Sequence, residues 1–183
     1  VIDELLGEAE AKMHQAVEHL QGEFATVRTG RANPAILHRV NVEYYGAPTP
    51  LQQLASVSAP EPQLLVIQPY DRSAVGAIER ALQMSSLGLN PSNDGTVIRL
   101  SFPPLTEERR RELIKLVRSM AEESRVSIRN VRRHSKADME SLSGEVSEDD
   151  VRRGEDSLQE MTDGFVKKVD ELLQHKESEL LEV

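Results

Sequence analysis

All nine prolines of this 183-residue chain lie between Pro34 and Pro104, so residues 1–33 and 105–183 contain none. Inside a helix, proline removes a hydrogen-bond donor and clashes with the preceding turn, at a cost of about 3 kcal/mol. The two flanks are therefore free to be long helices, and the middle must be built differently. In the first flank Leu6, Ala9, Met13, Ala16, Leu20, Phe24 and Val27 step by three and four. That spacing predicts an amphipathic helix running to about Arg28, with Gly30 as its stop. In the second flank Thr106 precedes two acids that suit a helix start, and Leu113, Val117, Met120, Ser124, Ile128, Val131, Ser135, Met139 and Leu142 continue the same spacing. Ser147-Glu-Asp-Asp150 has the form of a helix cap and opens a third helix carrying Leu158, Met161, Phe165, Val169 and Leu172. Each helix has one apolar seam, which predicts a bundle in which the three cover one another.

The middle reads as strands with one helix. Val40–Tyr45 alternates up to Gly46, Leu64–Ile67 is a short apolar run, and Thr96–Leu100 follows the turn signal Asn93-Asp94-Gly95. Ala74, Ile78, Ala81 and Leu82 suit a helix lying on that sheet. The division expected is a discontinuous helical domain, 1–30 with 105–183, and a small α/β insert at 31–104. Thr29, Gly30 and Arg31 on one side and Pro103 and Pro104 on the other are the joints, where so few residues hold two bodies that a hinge is expected.

Composition narrows the function classes. Zero Cys removes disulfides, thiol catalysis and thiolate metal sites together, and fits a reducing, cytoplasmic setting. No run of about 18 apolar residues is present, and the acidic, amphipathic N-terminal stretch differs from a secretory signal, so no membrane partner is expected. With three Tyr, three Phe and no Trp, binding to nucleic acid has to rest on charge and shape more than on stacking.

The formal net charge is -9, yet residues 104–136 carry ten basic and five acidic side chains, whereas 137–183 carry five and fifteen. On the second helix Arg111, Lys115, Arg118, Arg125, Arg129, Arg132, Arg133 and Lys136 fall within an arc of roughly 100° beside the apolar seam, interrupted only by Glu122. Two uses of that stripe compete. It can pair with the acidic third helix, in pairs worth roughly 0.2–1 kcal/mol each, and on charge pattern alone this is the stronger reading. Against it, the run from 125 to 136 holds no acid and is mostly Arg, whose planar fork suits phosphate.

Other candidate sites are weak. His14 and His19 are five residues apart and do not share a helical face, so they make a poor metal pair. The acids at Ser147–Asp150 are explained as a cap, and Tyr44-Tyr45-Gly46 as a strand entering a turn. No G-x-x-x-x-G-K-[ST] loop is present to bind nucleotide.

The blocks VRTGRANP (27–34), VEYYGAPTPLQQLASV (42–57), LGLNP (87–91), PPLTEERRREL (103–113) and RNVRR (129–133) resemble the ribosome recycling factor family, in order and over nearly the whole chain. The resemblance implies an L-shaped, α+β two-domain fold: a long three-helix bundle with a small α/β domain inserted after the first helix. It implies a non-enzymatic, monomeric factor without a cofactor. Such a factor acts with elongation factor G and GTP to split the 70S-type post-termination ribosome into subunits, releasing mRNA and tRNA. The bundle would bind large ribosomal subunit RNA, and the insert would face elongation factor G. By position the family's RNA-contacting residues correspond to Arg28, Arg31, Arg110, Arg129, Asn130, Arg132 and Arg133. Where the family commonly has Asp-Ala after the paired arginines, this chain has His134 and Ser135, which removes a negative charge and adds a group that can become positive. The alternative is a helical interaction or chaperone-like scaffold whose basic flank pairs with its own acidic helix.

Overall fold

A computed structural model of the chain describes residues 1–85 and 90–182. Leu87, Gly88 and Leu89 of the LGLNP block lie outside the described residues. The chain divides into two compact units, Val1–Val27 with Glu108–Leu181, and Arg28–Glu107, with Glu182 counted in the second.

The first unit is a bundle of α1 (Ile2–Thr26) and the C-terminal helices α4 (Glu107–Glu140) and α5 (Glu148–Leu181). The first helix stops two residues short of the expected Arg28. Val27 turns to extended backbone there, and the Thr26 hydroxyl donates to the Glu23 carbonyl at 2.7 Å, occupying one of the acceptors a helix end leaves open. Ala9, Met13, Val17, Leu20 and Phe24 are buried along α1, and Leu113, Val117, Ala121, Ser124, Ile128, Ser135 and Met139 along α4. Gly154, Leu158, Thr162, Val169, Lys176 and Leu180 form the corresponding seam of α5. The start of α5 is capped as its sequence suggests, the Ser147 hydroxyl accepting from the Asp150 amide at 3.1 Å.

The small residues in these seams let the helix backbones approach. A Cβ added at Gly154 would stand 2.7 Å from Cγ2 of Ile2 and 3.3 Å from Sδ of Met139, so all three helices meet there. We expect Gly154→Leu to destabilise the protein by about 1–3 kcal/mol through overpacking. Gly154→Ala should be near neutral, since a gain of about 1 kcal/mol in helix propensity offsets moving the Ile2 side chain. Thermal melts of the two variants check this, and equal melting temperatures for both would refute the three-helix contact.

The second unit holds a hairpin of β1 (Asn41–Tyr44) and β2 (Ala47–Pro50), then a single turn α2 (Leu51–Leu54). A four-stranded antiparallel sheet follows, made of β3 (Ala55–Glu61), β4 (Leu64–Pro69), β5 (Pro91–Asn93) and β6 (Ile98–Ser101), in the order β3-β4-β6-β5. Helix α3 (Val75–Met84) contributes Val75, Ile78 and Leu82 to the core. In the two central strands Leu65 pairs with Leu100 and Ile67 with Ile98, and all four are fully buried with Leu37, Val42 and Leu51. The hairpin turn is Tyr45-Gly46, both with positive φ (50° and 77°), as a two-residue turn of this kind requires. Tyr44-Tyr45-Gly46 is thus a strand entering a turn.

Beside β6, Asp94 organises the preceding loop. Its carboxylate accepts from the amides of Thr96 and Val97, from the Thr96 hydroxyl and from Arg99 Nη1, at 2.9–3.0 Å. The backbone N–H groups of Val97 and Thr96, then Arg99, hold its pKa well below the usual carboxylate range. A carboxyl depressed by folding contributes stability that is present above its unfolded pKa and lost as pH falls toward the folded value. We therefore expect Asp94→Asn to lower the melting temperature of this unit at neutral pH, with the difference from the parent protein closing below about pH 4. An unchanged difference down to pH 2 would contradict it.

Candidate nucleic-acid interface

The basic stripe of α4 divides by position. Arg118 Nε lies 2.6 Å from Glu177 Oε1, and Arg125 Nη2 lies 2.6 Å from Asp170 Oδ1, both acids on α5. Arg125 also contacts Glu122 at 3.0 Å, and its side chain is only 16% exposed. Burial opposes its charge, but the hydrogen bonds to Asp170 and Glu122 outweigh this and raise its pKa. For these two residues, ion pairing with the third helix is the correct description.

Beyond Arg125 the pairing stops. Among the described residues Arg129 meets an acid only in Glu122 of its own helix, at 3.6 Å, with its side chain half exposed. Lys136 meets Glu140 of its own helix, at 3.9 Å. Among the described residues, Arg132 and Arg133 have no acidic partner, Arg133 being exposed and Arg132 half-buried. Exposed Asn130 stands next to them. One turn of α4 therefore presents three guanidinium groups that no α5 carboxylate neutralises, Arg132 and Arg133 without an acidic partner among the described residues and Arg129 in a long, exposed contact with Glu122. Such forks can hold adjacent phosphates of a nucleic-acid backbone bidentately.

The remaining expected contact residues lie elsewhere. Arg110 is nineteen residues before Arg129, about 28 Å away along the helix axis, and sits near the seam side of α4. It is half-buried, and its Nε is buried without a hydrogen-bond partner. Arg28 and Arg31 belong to the second unit. Arg28 donates from Nη2 to the Pro103 carbonyl at 2.7 Å, and its guanidinium lies 5.9 Å from the Phe102 ring centroid, so it ties together the two ends of the insert. Exposed Arg31 pairs with Glu182 within the same unit, at 3.1 Å. The Thr29 hydroxyl caps the short turn by accepting from the Arg31 amide at 3.4 Å. His134 is exposed, about 140° around the helix from Arg129 and about 40° from Asn130, at the margin of the patch. Ser135 is buried in the bundle seam, where a small side chain is a packing requirement. No helix among the described residues is long and apolar enough to cross a membrane.

Fold and charge together describe an α+β chain whose helical bundle offers a phosphate-competent arginine face, a class in which translation factors are found. The family model described as ribosome recycling factor matches residues 20–181. Curated relatives include the ribosome-recycling factors of Acidothermus cellulolyticus, 55% identical, and of Rubrobacter xylanophilus, 57% identical, each match covering 100% of this chain and 98–100% of the relative. A solution structure of a ribosome recycling factor superposes with a TM-score of 0.87 at 44% identity, covering 100% of this chain and 98% of that one. A structure of the T. thermophilus ribosome recycling factor with E. coli elongation factor G bound to the E. coli post-termination complex matches with a TM-score of 0.70 at 47% identity, over 100% of both chains. This chain belongs to the ribosome recycling factor family.

Proposed function

We propose that the protein is a non-enzymatic ribosome recycling factor of the cytoplasm. It binds the 70S-type post-termination ribosome and, with elongation factor G hydrolysing GTP, separates the subunits and releases mRNA and tRNA. The observation that carries this reading is identity above 50% to ribosome-recycling factors over the entire chain. The family's ribosome-bound structure, with elongation factor G present, supports the choice of partners.

The bundle is the part that holds large-subunit RNA, with Arg129, Asn130, Arg132 and Arg133 at the centre of contact and Arg28, Arg31 and Arg110 as outlying contributors. The α/β unit receives elongation factor G. The scaffold alternative accounts for Arg118 and Arg125, whose charges are used inside the bundle, and leaves the arginines from 129 to 133 without a task. Co-sedimentation with large ribosomal subunits tests the contact: binding should weaken steeply as salt rises, because each phosphate contact releases counterions. Absence of binding, or binding indifferent to salt, would refute it.

Thr29, Gly30 and Arg31 with Pro103 and Pro104 are proposed as the hinge, since the crossings that enter and leave the α/β unit, at Val27–Arg28 and Glu107–Glu108, fall near these residues. Spin labels placed on the two units should give more than one interlabel distance in solution. A single narrow distribution, unchanged by lengthening either connection, would speak against a hinge.

A further inference from the structure

Helices α4 and α5 share a ladder with a seven-residue step. Arg118 meets Glu177 and Arg125 meets Asp170, so as α4 advances by seven residues α5 retreats by seven. Seven residues are close to two helical turns, about 10.5 Å of rise, and return to nearly the same face. The next rung is Arg132 opposite Asp163, and it is not closed: no ion pair joins the two. Asp163 Oδ1 instead accepts from Gln159 Nε2, one turn earlier on α5, at 2.9 Å. The same antiparallel register puts Gln159 itself across from Lys136, so a neutral side chain stands where an acid would pair with that cation as well.

We propose that Gln159 is a positioning residue for the anion-binding face. By engaging Asp163 it keeps the third rung of the α4–α5 ladder open, and so leaves Arg132 free to bind phosphate. This inference rests on the reading of Arg132 as an RNA contact. Its physical basis is competition for one carboxylate. An exposed Arg–Asp pair across the helices is worth little by itself, so a single local hydrogen bond is enough to decide which partner Asp163 takes. Two rungs stabilise the bundle, and the third is withheld for a ligand.

The test uses the full-length chain and the variants Gln159→Ala, Asp163→Asn, their combination and Arg132→Ala. The affinity for purified large ribosomal subunits at low salt is measured together with the Arg132 Nε–H resonance of the free protein. In Gln159→Ala, Asp163 is released to Arg132. The Nε–H becomes protected from exchange, and subunit affinity falls about two- to fivefold, the factor needed to break an exposed pair before phosphate can bind. In the combined variant the acid is gone, so both the protection and the loss of affinity disappear. A merely structural role for Gln159 would not be rescued in this way. Unchanged Arg132 exchange in Gln159→Ala, or a combined variant that binds as weakly as Gln159→Ala, overturns the proposal. If Arg132→Ala binds like the parent protein, the RNA assignment of Arg132 fails instead, and the exchange measurement still reports whether Gln159 holds the rung open.

Discussion

Alanine at both Arg129 and Arg132 is expected to weaken binding to large ribosomal subunits about a hundredfold while leaving the melting temperature within a degree or so. Hydrogen bonds to charged groups contribute at least about 1.5 kcal/mol each, roughly tenfold per residue, and the long, exposed Arg129–Glu122 contact offsets little of this. The slope of log affinity against log salt should fall by about 0.7–0.9 for each contact removed. Stability is spared because neither guanidinium is held by α5. Arg125→Ala should show the opposite behaviour. It removes contacts to Asp170 and Glu122, costing on the order of 1 kcal/mol and about 2–4 °C in melting temperature, with subunit affinity changed by less than about twofold. Arg118→Ala, which loses Glu177, belongs with Arg125. Equal losses of affinity at Arg118 and Arg132 would mean a diffuse electrostatic surface and would remove the distinction between ladder and patch.

The second large effect concerns the division of labour. A protein in which Val27 is joined to Glu108 by a short loop lacks the α/β unit but keeps every helix of the bundle and its buried seam. It should fold, bind large subunits in a manner that still depends on Arg129 and Arg132, with affinity lowered only by the loss of the outlying Arg28 and Arg31, and fail to split post-termination ribosomes with elongation factor G and GTP. The seam supplies the reason for independent folding, since the apolar faces of the three helices are satisfied by one another. A folded bundle that no longer binds would place the RNA contact on the wrong unit.

The helices were legible because their sequences are proline-free and three-four periodic. Strand β1 was legible because Val40–Tyr45 alternates, β4 because Leu64–Ile67 is a short apolar run, and β6 because it follows the turn signal Asn93-Asp94-Gly95. Strands β2, β3 and β5 were not, since each contains proline: Pro48 and Pro50, Pro60, and Pro91. All three lie at a sheet edge, where a missing N–H breaks no ladder, so a residue that argues against a strand in general was tolerated there. In α1 the register was read almost correctly, but Val17 is the fully buried residue and Ala16 only half so.

The candidate site was legible as a stripe and not as its parts. Arg118, Arg125 and Arg132 drift only about 20° per seven-residue step, so a helical projection gives them one address. What separates them is the partner across the bundle: Glu177 and Asp170 close two rungs, whereas Asp163 is taken by Gln159. That difference depends on the register between two helices 30 to 60 residues apart in sequence, which no local pattern contains. Arg28 illustrates the same limit, because the Pro103 carbonyl and Phe102 ring that hold it come from the far end of the insert.

The most direct test is a subunit-splitting assay with purified post-termination ribosomes, elongation factor G and GTP, followed by light scattering or sucrose-gradient sedimentation. Adding this protein should convert the ribosomes to free subunits, in a reaction that requires GTP and elongation factor G together and is strongly slowed by the Arg129→Ala, Arg132→Ala pair. Ribosomes that stay intact at the rate seen without the protein, in the presence of both elongation factor G and GTP, would contradict the proposed function.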